Sequence, residues 1–589
     1  MRDLIRDSTI GQVLRFLTSN RVGKYVEEQE SFELPPSYNP NLAPRRPNPN
    51  SSFRTEQNDE SKEDAGQSNS DIENQSQTDV ETQPGLSTTT SLPISPSQSN
   101  NNPALTKEKT IRPHRTNDGI FLVTWYTDDD PENPQNWSFA KKAWVGTVIF
   151  FYTFAVYVGS SLYTAGIPDI VRIFGVSEVA ASLGLSLYVV GYGIGPLLFS
   201  PLSEIPAIGR NSPYIITFIS FVILTVPASL VNNFGGLLVL RFLLGFFGSP
   251  CLATGAASYG DFFHPTVLVY CITFWGAGAT LGPCLGPLIA GFAVQAKDWR
   301  WSAWELLWIS GPMLLVMLIA LPETSSDTIL LHRAQRLRKL TGRTDLKSDS
   351  EIKQAAMNSR QITIDALIKP WEINILDPAV LFTTVYTALV YGIFYSFFES
   401  FPLVYVEIYG FNLGELGLSF LSVLVGLIVG CTLYCLFFIY IGDPHMAKVG
   451  FWNVPPEYRI QPSLLGTFFI PMGLFIFAWT ARHSVHWIAS MIGIAVSVCG
   501  ISLVMQSLFI YLPFTYPKYA GSLFAANDFA RSMFAAGSIQ YARPMFLNLG
   551  IAGGVSLLGG LTTCCILGVF VIFIFGARLR KKSKFAVAS

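Results

Sequence analysis

The stretch WGAGATLGPCLGPLIAGF, residues 275–292, decides the fold class of this chain. It carries no charged side chain, and small residues and prolines recur in it at Gly278, Gly282, Pro283, Gly286 and Pro287. Glycine at every fourth position lets a neighbouring helix approach closely, whereas proline removes a backbone hydrogen bond and bends a helix. The stretch therefore predicts a bent, tightly packed helix inside a lipid bilayer.

Apolar runs of similar length fill the chain beyond Lys142. Half of all residues are hydrophobic and only 14% are charged, against about 25% in ordinary soluble proteins. The runs are continuous blocks rather than alternating stretches, and each is close to the ~20 residues that a helix needs to span a bilayer. We predict an all-α membrane protein with twelve spans near 143–164, 180–200, 213–232, 236–257, 267–293, 303–321, 376–398, 414–440, 463–481, 487–512, 519–539 and 553–577.

A polar stretch with the basic run HRAQRLRKLTGR (332–343) separates the first six spans from the last six. Two six-helix halves joined by a long basic loop are typical of secondary transporters that are built from repeats. The predicted regions are an N-terminal tail at 1–140, a six-helix half at 141–322, a central loop at 323–374, a second six-helix half at 375–577 and a basic tail at 578–589.

The N-terminal tail is polar. Residues 31–118 are rich in Pro, Ser, Asn, Gln and Thr and nearly lack aromatic residues, a composition that predicts disorder. The first twenty residues lack the apolar core of a signal peptide and predict a short amphipathic helix, for which binding to a membrane surface is one alternative. Lys and Arg are more frequent in one set of short loops, the central loop and the flanks (Lys141, Lys142 and the residues after 577) than in the opposite loops, so we expect both termini in the cytosol.

Composition also argues against several classes of protein. A net charge of −1 provides no basic face for nucleic acid. All eight cysteines lie in apolar stretches without paired spacing in a polar loop, so we expect neither a metal site nor disulfides. No GxxxxGK[ST] loop is present for an ATP-driven pump, and the histidines lack a nearby nucleophile. We expect a protein that is not an enzyme and uses no cofactor.

Several motifs together resemble the fungal drug:proton antiporters of the major facilitator superfamily, in the twelve-span group that exports fluconazole, benomyl and methotrexate. The pattern G-x3-G-P-x2-G-P in span five resembles their antiporter motif, and DPENPQNW at Asp130–Trp137 resembles a stretch typical of fungal members. Further likenesses are LPET (321–324), RAQRLRKLTG (333–342), FFESFP (397–402) and AANDFARSMFAA (525–536).

This resemblance covers about residues 120–585. It implies the major facilitator fold and alternating access driven by the proton gradient. The expected substrates are chemically varied amphiphilic toxicants, including azole and benzimidazole antifungals. It also implies a monomer in the plasma membrane, with the vacuolar membrane as the alternative, whose partners are small-molecule drugs, protons and lipid.

The loop after span two carries a second motif. GPLLFSPLSEIPAIGR (195–210) resembles the superfamily's loop motif, with Glu204 as its acid and Gly209 and Arg210 as its Gly-Arg pair. The motif departs from the family pattern by Glu in place of Asp and by wider spacing before Gly209. The resemblance implies that this loop is a conformational latch.

Ionisable side chains within apolar spans usually line a pathway. Arg241 in span four is either a structural arginine or, as the resemblance implies, a residue that pairs with an acid or tunes the protonation of that acid. Glu399 closes span seven, where a simple interfacial glutamate is the alternative. Asp528 and Arg531 share one face of span eleven, where a static ion pair is the alternative. Our hypothesis is that Asp528 or Glu399 takes up the proton, because burial favours the protonated form of a carboxyl group, and that substrate competes with this proton.

Aromatic side chains suggest a cavity for planar, apolar ligands. The candidate lining residues are Tyr188, Tyr192, Tyr391, Tyr395 and Gln506. For each tyrosine, packing against lipid or other helices is an equal alternative. The alternative function is export of one endogenous metabolite, such as a polyamine or a secondary product, although a polycation would require more acids. A receptor that does not transport is a third alternative.

Overall fold

The structure is a computed structural model that describes residues 2–30, 32, 38, 119–356, 368–516 and 520–583. The spans and their flanking segments belong to one compact unit, residues 1–33 and 111–589. The predicted disorder at 31–118 lies outside the described residues, apart from positions 32 and 38. The same holds for part of the central loop and for the last six residues of the predicted basic tail.

The first half contains six helical spans, as predicted. Several of them begin at a side chain that accepts a backbone N–H of the first turn, such as Ser138 before span one and Asn233 before span four. Spans one to six are Phe139–Ser161 with the 3₁₀ turn Leu162–Gly166 and the short helix Ile167–Phe174, Glu178–Ser203, Asn211–Leu230, Phe234–Gly248 with Pro250–Phe262, Pro265–Ala296, and Trp301–Ala320.

The second half repeats this arrangement. Asp377 begins span seven by accepting the N–H groups of Ala379 and Val380. Spans seven to ten are Pro378–Phe401 with the π-helical turn Pro402–Ile408, Leu413–Ser419 with Leu421–Phe437, Phe438–Gly442 and Asp443–Val449, Gln461–Thr480, and Trp487–Thr515.

The last helical segment, Ala520–Lys582, holds two spans. An unbroken helix of its 63 residues would be about 95 Å long, roughly three times the thickness of the hydrocarbon layer. Gly550, with φ of 72°, interrupts it between the two predicted runs. Among the described residues, eleven helices are long and apolar enough to cross a membrane, and this last one counts twice. The predicted all-α, twelve-span fold is confirmed.

Folded segments cover the end of the bundle at which span one begins, which we call the tail face; the opposite end is the far face. The N-terminal residues form helices Arg2–Asp7 and Thr9–Leu17, so the predicted amphipathic helix is confirmed, with a break at Ser8. Strand β1 (Phe121–Val123) pairs in parallel with β2 (Leu346–Ser348). The other elements are Val26–Glu28, Pro134–Asn136, Ser326–Thr341, Asp349–Ala356 and Lys369–Leu376.

The predicted tail is therefore folded at residues 2–30 and 119–138. The reason is a buried ionic cluster, because Arg333 of helix Ser326–Thr341 donates to Asp130 at 2.6 Å and to Glu132 at 3.0 Å. Glu27 of the N-terminal segment joins the cluster at 3.2 Å from Arg333. Each of these side chains is at least nine-tenths buried, so the segments form one layer.

Span five makes the close contacts that its glycines predict. A Cβ atom added to Gly282 would lie 2.6 Å from the backbone nitrogen of Val158 in span one. On the far-face side, a Cβ at Gly417 of span eight would lie 2.6 Å from the carbonyl oxygen of Pro287. The Ser161 hydroxyl donates to the carbonyl of Gly282 at 3.2 Å. Span five therefore packs against its own half and against the second half.

Candidate functional site

A central cavity lies between the two halves and is the candidate substrate site. Its open volume is about 60 Å³, room for about two water molecules, whereas pockets for drug-sized ligands have about 300–1,000 Å³. A drug-sized ligand thus requires the halves to separate. Spans one, five, seven, eight, ten and eleven line it with Tyr157, Trp275, Gly276, Ala279, Thr280, Pro283, Tyr391, Phe394, Leu427, Ile501, Ser502, Met505, Gln506, Phe509 and Arg531.

The charged group at this cavity is Arg531, paired with Asp528. The Arg531 Nε donates to Asp528 Oδ1 at 2.7 Å, and a terminal nitrogen of Arg531 lies 3.3 Å from the hydroxyl of Tyr157. The guanidinium also stacks over the ring of Tyr391, 4.9 Å from its centre. Asp528 Oδ2 is buried and has no hydrogen-bond partner among the described residues. The predicted pair is therefore formed, and only one of its two carboxylate oxygens is engaged.

Three of the predicted tyrosines form a hydrogen-bonded group beside the cavity. The hydroxyl of Tyr192 in span two lies 2.7 Å from that of Tyr391 and 2.9 Å from that of Tyr395, both in span seven. Tyr391 lines the cavity, whereas Tyr192 and Tyr395 lie next to it. Because span two belongs to the first half and span seven to the second, these bonds join the halves at mid-membrane.

Gln506 lies at the cavity wall, as predicted. Its side chain packs against span five, where a Cβ added to Gly276 would lie 2.6 Å from Gln506 Nε2. Gln506 Oε1 is buried and lacks a hydrogen-bond partner in the described part of the chain. Gln506 therefore adds a neutral polar side chain to the cavity wall, beside the hydroxyl groups of Thr280 and Ser502.

Arg241 does not meet an acid. Its guanidinium lies between the rings of Tyr163 and Tyr188, 4.6 Å from each ring centre. The carbonyl groups at the end of a helix lack partners within the helix, and Arg241 supplies them for span one. Its three nitrogens donate at 2.8–3.1 Å to the carbonyl oxygens of Gly159, Ser160 and Gly184.

Tyr188, predicted as a cavity residue, belongs to this structural group instead. Its hydroxyl donates to the carbonyl oxygen of Val156 at 2.6 Å, and its ring packs on Arg241. The structure thus favours the structural alternative for both residues, and it corrects the expectation that Arg241 pairs with a carboxylate.

Glu399 lies apart from Asp528, in a separate cavity of about 210 Å³ near the far face. It is only 6% exposed, and it makes no hydrogen bond or ion pair with another described residue. Arg543 of span eleven lies at the same cavity and pairs with Glu178 of span two, and it lies 3.7 Å from Glu407. The four residues predicted for proton coupling therefore occupy three places rather than one.

The predicted loop latch is assembled differently from the motif's pattern. Arg210 donates through Nε to Asp261 of span four at 3.0 Å and makes no ion pair with Glu204. Although burial opposes its charge, Asp261 raises the pKa of Arg210. Glu204 lies against Gly521, at the beginning of span eleven, and burial raises the pKa of this glutamate. Asp261 thus holds Arg210 in place, whereas Glu204 contacts the second half.

Gly209 and Glu323 complete this loop. Gly209 has φ of 72°, a conformation that favours glycine. Glu323 accepts the backbone N–H groups of Arg210 and Asn211 at 3.1 Å each. Burial raises the pKa of Glu323, and these hydrogen bonds oppose the shift. The LPET stretch therefore fixes the beginning of span three.

Sequence reasoning missed several of the lining residues. Tyr157, Trp275, Phe394 and Phe509 lie in apolar runs of a chain that has 44 Phe, 23 Tyr and 12 Trp residues, and their sequence positions do not show which face of a helix they occupy. Asp261 was missed because it lies at the end of span four, far in sequence from the loop motif that it completes.

Comparison with known proteins identifies the family. A profile described as Major Facilitator Superfamily matches residues 149–539. The chain is 46% identical to the MFS-type transporter pyvG of Aspergillus violaceofuscus over 80% of this chain and 87% of that protein. It is 41% identical to the multidrug transporter FLR1 of Candida glabrata, over 79% and 84% of the two chains. It is 38% identical to the fluconazole resistance protein 1 of Saccharomyces cerevisiae, over 79% and 85%.

Solved structures show the same fold. The proton:xylose symporter XylE superposes with a TM-score of 0.54 at 13% identity, covering 74% of this chain and 97% of the symporter. The profile covers most of both halves, and the matches to the similar fungal transporters cover 84–87% of their length. This chain belongs to the Major Facilitator Superfamily and is a multi-pass membrane transporter similar to fungal drug-resistance transporters.

Proposed function

We propose that this protein is a proton-coupled exporter of chemically varied amphiphilic toxicants, including azole and benzimidazole antifungals. The observation that carries the proposal is the aromatic cavity between the two halves, with the Arg531–Asp528 pair at its wall. A multidrug transporter and a fluconazole resistance protein are among the similar fungal proteins, which supports drugs as the substrate class.

The cavity lining favours neutral, planar ligands. Rings of Tyr157, Trp275, Tyr391 and Phe509 offer flat apolar surface, and Gln506 and Arg531 are its large polar side chains. Such a lining holds many ligand shapes because few directional contacts must be satisfied. The lining residues include no carboxylate, so a polyamine would meet Arg531 without a matching negative group. This weighs against the polyamine alternative.

The half-engaged state of Asp528 supports the proposed proton coupling. A proton on its free oxygen Oδ2 neutralises the carboxylate and weakens its attraction for Arg531. Arg531 then turns more freely toward the cavity and its tyrosine neighbours, which changes the space available to substrate. Loss of the proton restores the ion pair. Glu399, a buried carboxyl without a partner in the far-face cavity, is the second candidate for the proton site.

Alternating access requires contacts between the halves that form and break. The tyrosine group joins the halves at mid-membrane, Arg543 and Glu178 join them at the far face, and Glu204 touches Gly521 at the tail face. We place the tail face and both chain termini in the cytosol, in agreement with the distribution of Lys and Arg, and the protein in the plasma membrane as a monomer.

The first experiment is efflux of a labelled azole or benzimidazole from pump-deleted yeast that express this chain, with and without a protonophore. We expect loss of label from the cells that stops when the proton gradient is dissipated. Efflux that a protonophore leaves unchanged contradicts proton coupling. Absence of efflux for both drug classes favours the exporter of a single metabolite.

The second experiment assigns the proton site. We expect Asp528→Asn to reduce proton-driven efflux to the level of cells without the transporter, because the variant cannot release a proton, and Glu399→Gln to retain part of it. Surface expression of each variant, measured with a C-terminal tag, is the control. Full proton-driven efflux by both variants would contradict the assignment.

A further inference from the structure

A groove lies along the first half, where spans one and five begin at the tail face, and the proposed transport cycle does not use it. Its open volume is about 610 Å³, within the range of ordinary small-molecule pockets. Span one forms one wall and the beginning of span five forms the other. Phe139, Val267 and Phe274 line the groove and are exposed, so its walls are continuous with the surface that faces lipid.

The groove is elongated along the two helices. On span one, the lining residues Phe139, Ala143 and Gly146 are spaced by four and three residues, a spacing that places them on one face of the helix. On span five, Val267 and Phe274 are two turns apart, a distance of about 10 Å along the helix. The two faces therefore form an apolar slot that begins at the tail face and continues into the membrane-spanning region.

Two lysines flank the end of the slot at the tail face. Lys142 lines the groove and donates to the carbonyl oxygen of Gln135 at 2.7 Å, which leaves two of the three N–H donors of its ammonium group. The Nζ of Lys141 lies 4.0 Å from the ring centre of Trp137, which also lines the groove. Neither lysine makes an ion pair with another described residue. This end of the slot therefore carries positive charge.

The other polar groups at the groove also fit an anionic ligand. His264 accepts the backbone N–H of Thr266 through Nδ1, so the ring hydrogen of the neutral imidazole is on Nε2, where it is a further donor. None of the described residues that line the groove is acidic. The hydroxyl of Tyr270 is engaged, because it donates to Asp443 of the second half at 2.6 Å. A phosphate group has acceptor oxygens and negative charge, which match these donors.

An apolar slot that opens to lipid and has cations at one end has the chemistry of a phospholipid site. Basic pockets between spans bind anionic head groups, and lysine and tryptophan are typical of the level at which head groups lie. We propose that this groove binds one anionic phospholipid of the leaflet at the tail face. Its phosphate lies at Lys142, and one acyl chain lies between spans one and five.

The position of the site agrees with the distribution of lipids. We have placed the tail face in the cytosol, and the cytosolic leaflet is the one that carries anionic lipids. The site goes beyond drug export, and its test measures binding alone. A failure of this test therefore leaves the proposed transport function unchanged.

The test uses full-length protein in detergent micelles and follows thermal unfolding and native mass spectra as lipid is added. The lipid probes are phosphatidylserine and phosphatidylcholine with the same acyl chains, and glycerophosphoserine is the head group without chains. We expect a saturable rise in unfolding temperature with phosphatidylserine and one retained lipid per protein. Phosphatidylcholine lacks the net negative charge and should bind about tenfold more weakly. Glycerophosphoserine lacks the chains and should cause no shift.

Variants make the test specific for this groove. Lys142→Gln should weaken binding of phosphatidylserine about tenfold, from loss of one charge-assisted hydrogen bond, whereas Lys142→Arg keeps the charge and should retain binding. Ala143→Phe fills the slot without a change of charge and should abolish the retained lipid. Lys297→Gln removes an exposed lysine beside Trp301 at the far-face end of span five and is the matched control. The unfolding temperature without lipid shows whether each variant is folded.

Four results would overturn the proposal. Equal stabilisation by phosphatidylserine and phosphatidylcholine would show that the groove does not select an anionic lipid. Undiminished binding of phosphatidylserine by Lys142→Gln would place the lipid elsewhere. A shift with glycerophosphoserine equal to that with phosphatidylserine would show that the apolar slot takes no part. Absence of a saturable shift with either lipid would assign the groove to another occupant, such as a drug or a segment of this chain.

Discussion

The tail face and the far face of this transporter are held by different kinds of ion pair. At the tail face, Arg210 pairs with Asp261 and Arg333 with Asp130, contacts that lie within the first half and the segments attached to it. At the far face, Arg543 of span eleven pairs with Glu178 of span two. Among the ion pairs between described residues, only the pair of Arg543 and Glu178 joins the two halves.

This difference predicts that the tail-face ion pairs stabilise the fold, whereas the far-face ion pair takes part in gating. Arg333 and Asp130 are almost fully buried, whereas Glu178 is nearly half exposed. A buried pair that lies within one half can persist while the halves move relative to each other. A solvent-exposed pair between the halves contributes little energy, and it must break whenever the far face opens. Substitutions at the two faces should therefore have different effects.

The largest effect is expected at Arg333. Arg333→Met leaves the buried carboxylate of Asp130 without an ion pair and leaves Glu27 and Glu132 with Arg336 as their shared partner, which costs about 3–5 kcal/mol. Thermal unfolding and the amount of folded protein measure this loss. Arg172→Met removes an exposed pair with Asp169 and should change stability by less than about 1 kcal/mol. Equal losses in the two variants would contradict the distinction between the faces.

An intermediate effect is expected at Arg241. Arg241→Lys retains the charge but cannot serve all three carbonyl oxygens, two at the end of span one and that of Gly184 in span two, and we expect a loss of about 1.5–3 kcal/mol of stability. Transport per folded molecule should stay nearly constant, because Arg241 holds no carboxylate. Efflux normalised to surface expression provides the measurement. A loss of proton dependence in this variant would restore the coupling role that the sequence suggested.

The smallest change in stability is expected at Glu178, although it bears most directly on gating. Glu178→Gln weakens the pair with Arg543 by about 1 kcal/mol, which shifts the balance toward molecules open at the far face about fivefold. Distance distributions between spin labels on spans two and eleven at the far face report this shift. Glu407→Gln removes a more distant neighbour of Arg543 within the second half and is the control. An equal shift in both variants would show that Glu178 does not gate this face.

The span-five stretch shows how far sequence reasoning reached. Its small residues predicted close helix packing, and two contacts confirm this. Gly282 of span five packs against the backbone of span one, and Gly417 of span eight packs against the backbone of span five at Pro287, and neither contact leaves room for a methyl group. The ion pair of Asp528 and Arg531 was also predictable, since residues three apart share a helix face. The ion pair depends only on spacing along one helix, and the close packing depends only on the small size of the residue.

Other site residues could not be placed in this way. Arg241 and Asp528 both lie in apolar spans, yet one contacts carbonyl groups and the other an arginine. Glu204 and Asp261 are both acids near the latch, and it is Asp261, outside the motif, that pairs with Arg210. The choice depends on how each helix is rotated about its axis and on which neighbour it meets, and nearly uniform apolar runs do not encode this in a readable pattern.

By itself the sequence determined that the chain is a twelve-helix membrane protein in two halves, because the length and composition of each run set its stability in lipid. It also determined that span five packs closely, because small residues permit it wherever their partner lies. The tertiary structure alone decided that Glu399 lies at the far-face cavity, that Asp528 pairs with Arg531 at the central one, and that Arg543 joins the halves. Such pairings bring together residues hundreds of positions apart, and packing of whole helices fixes them.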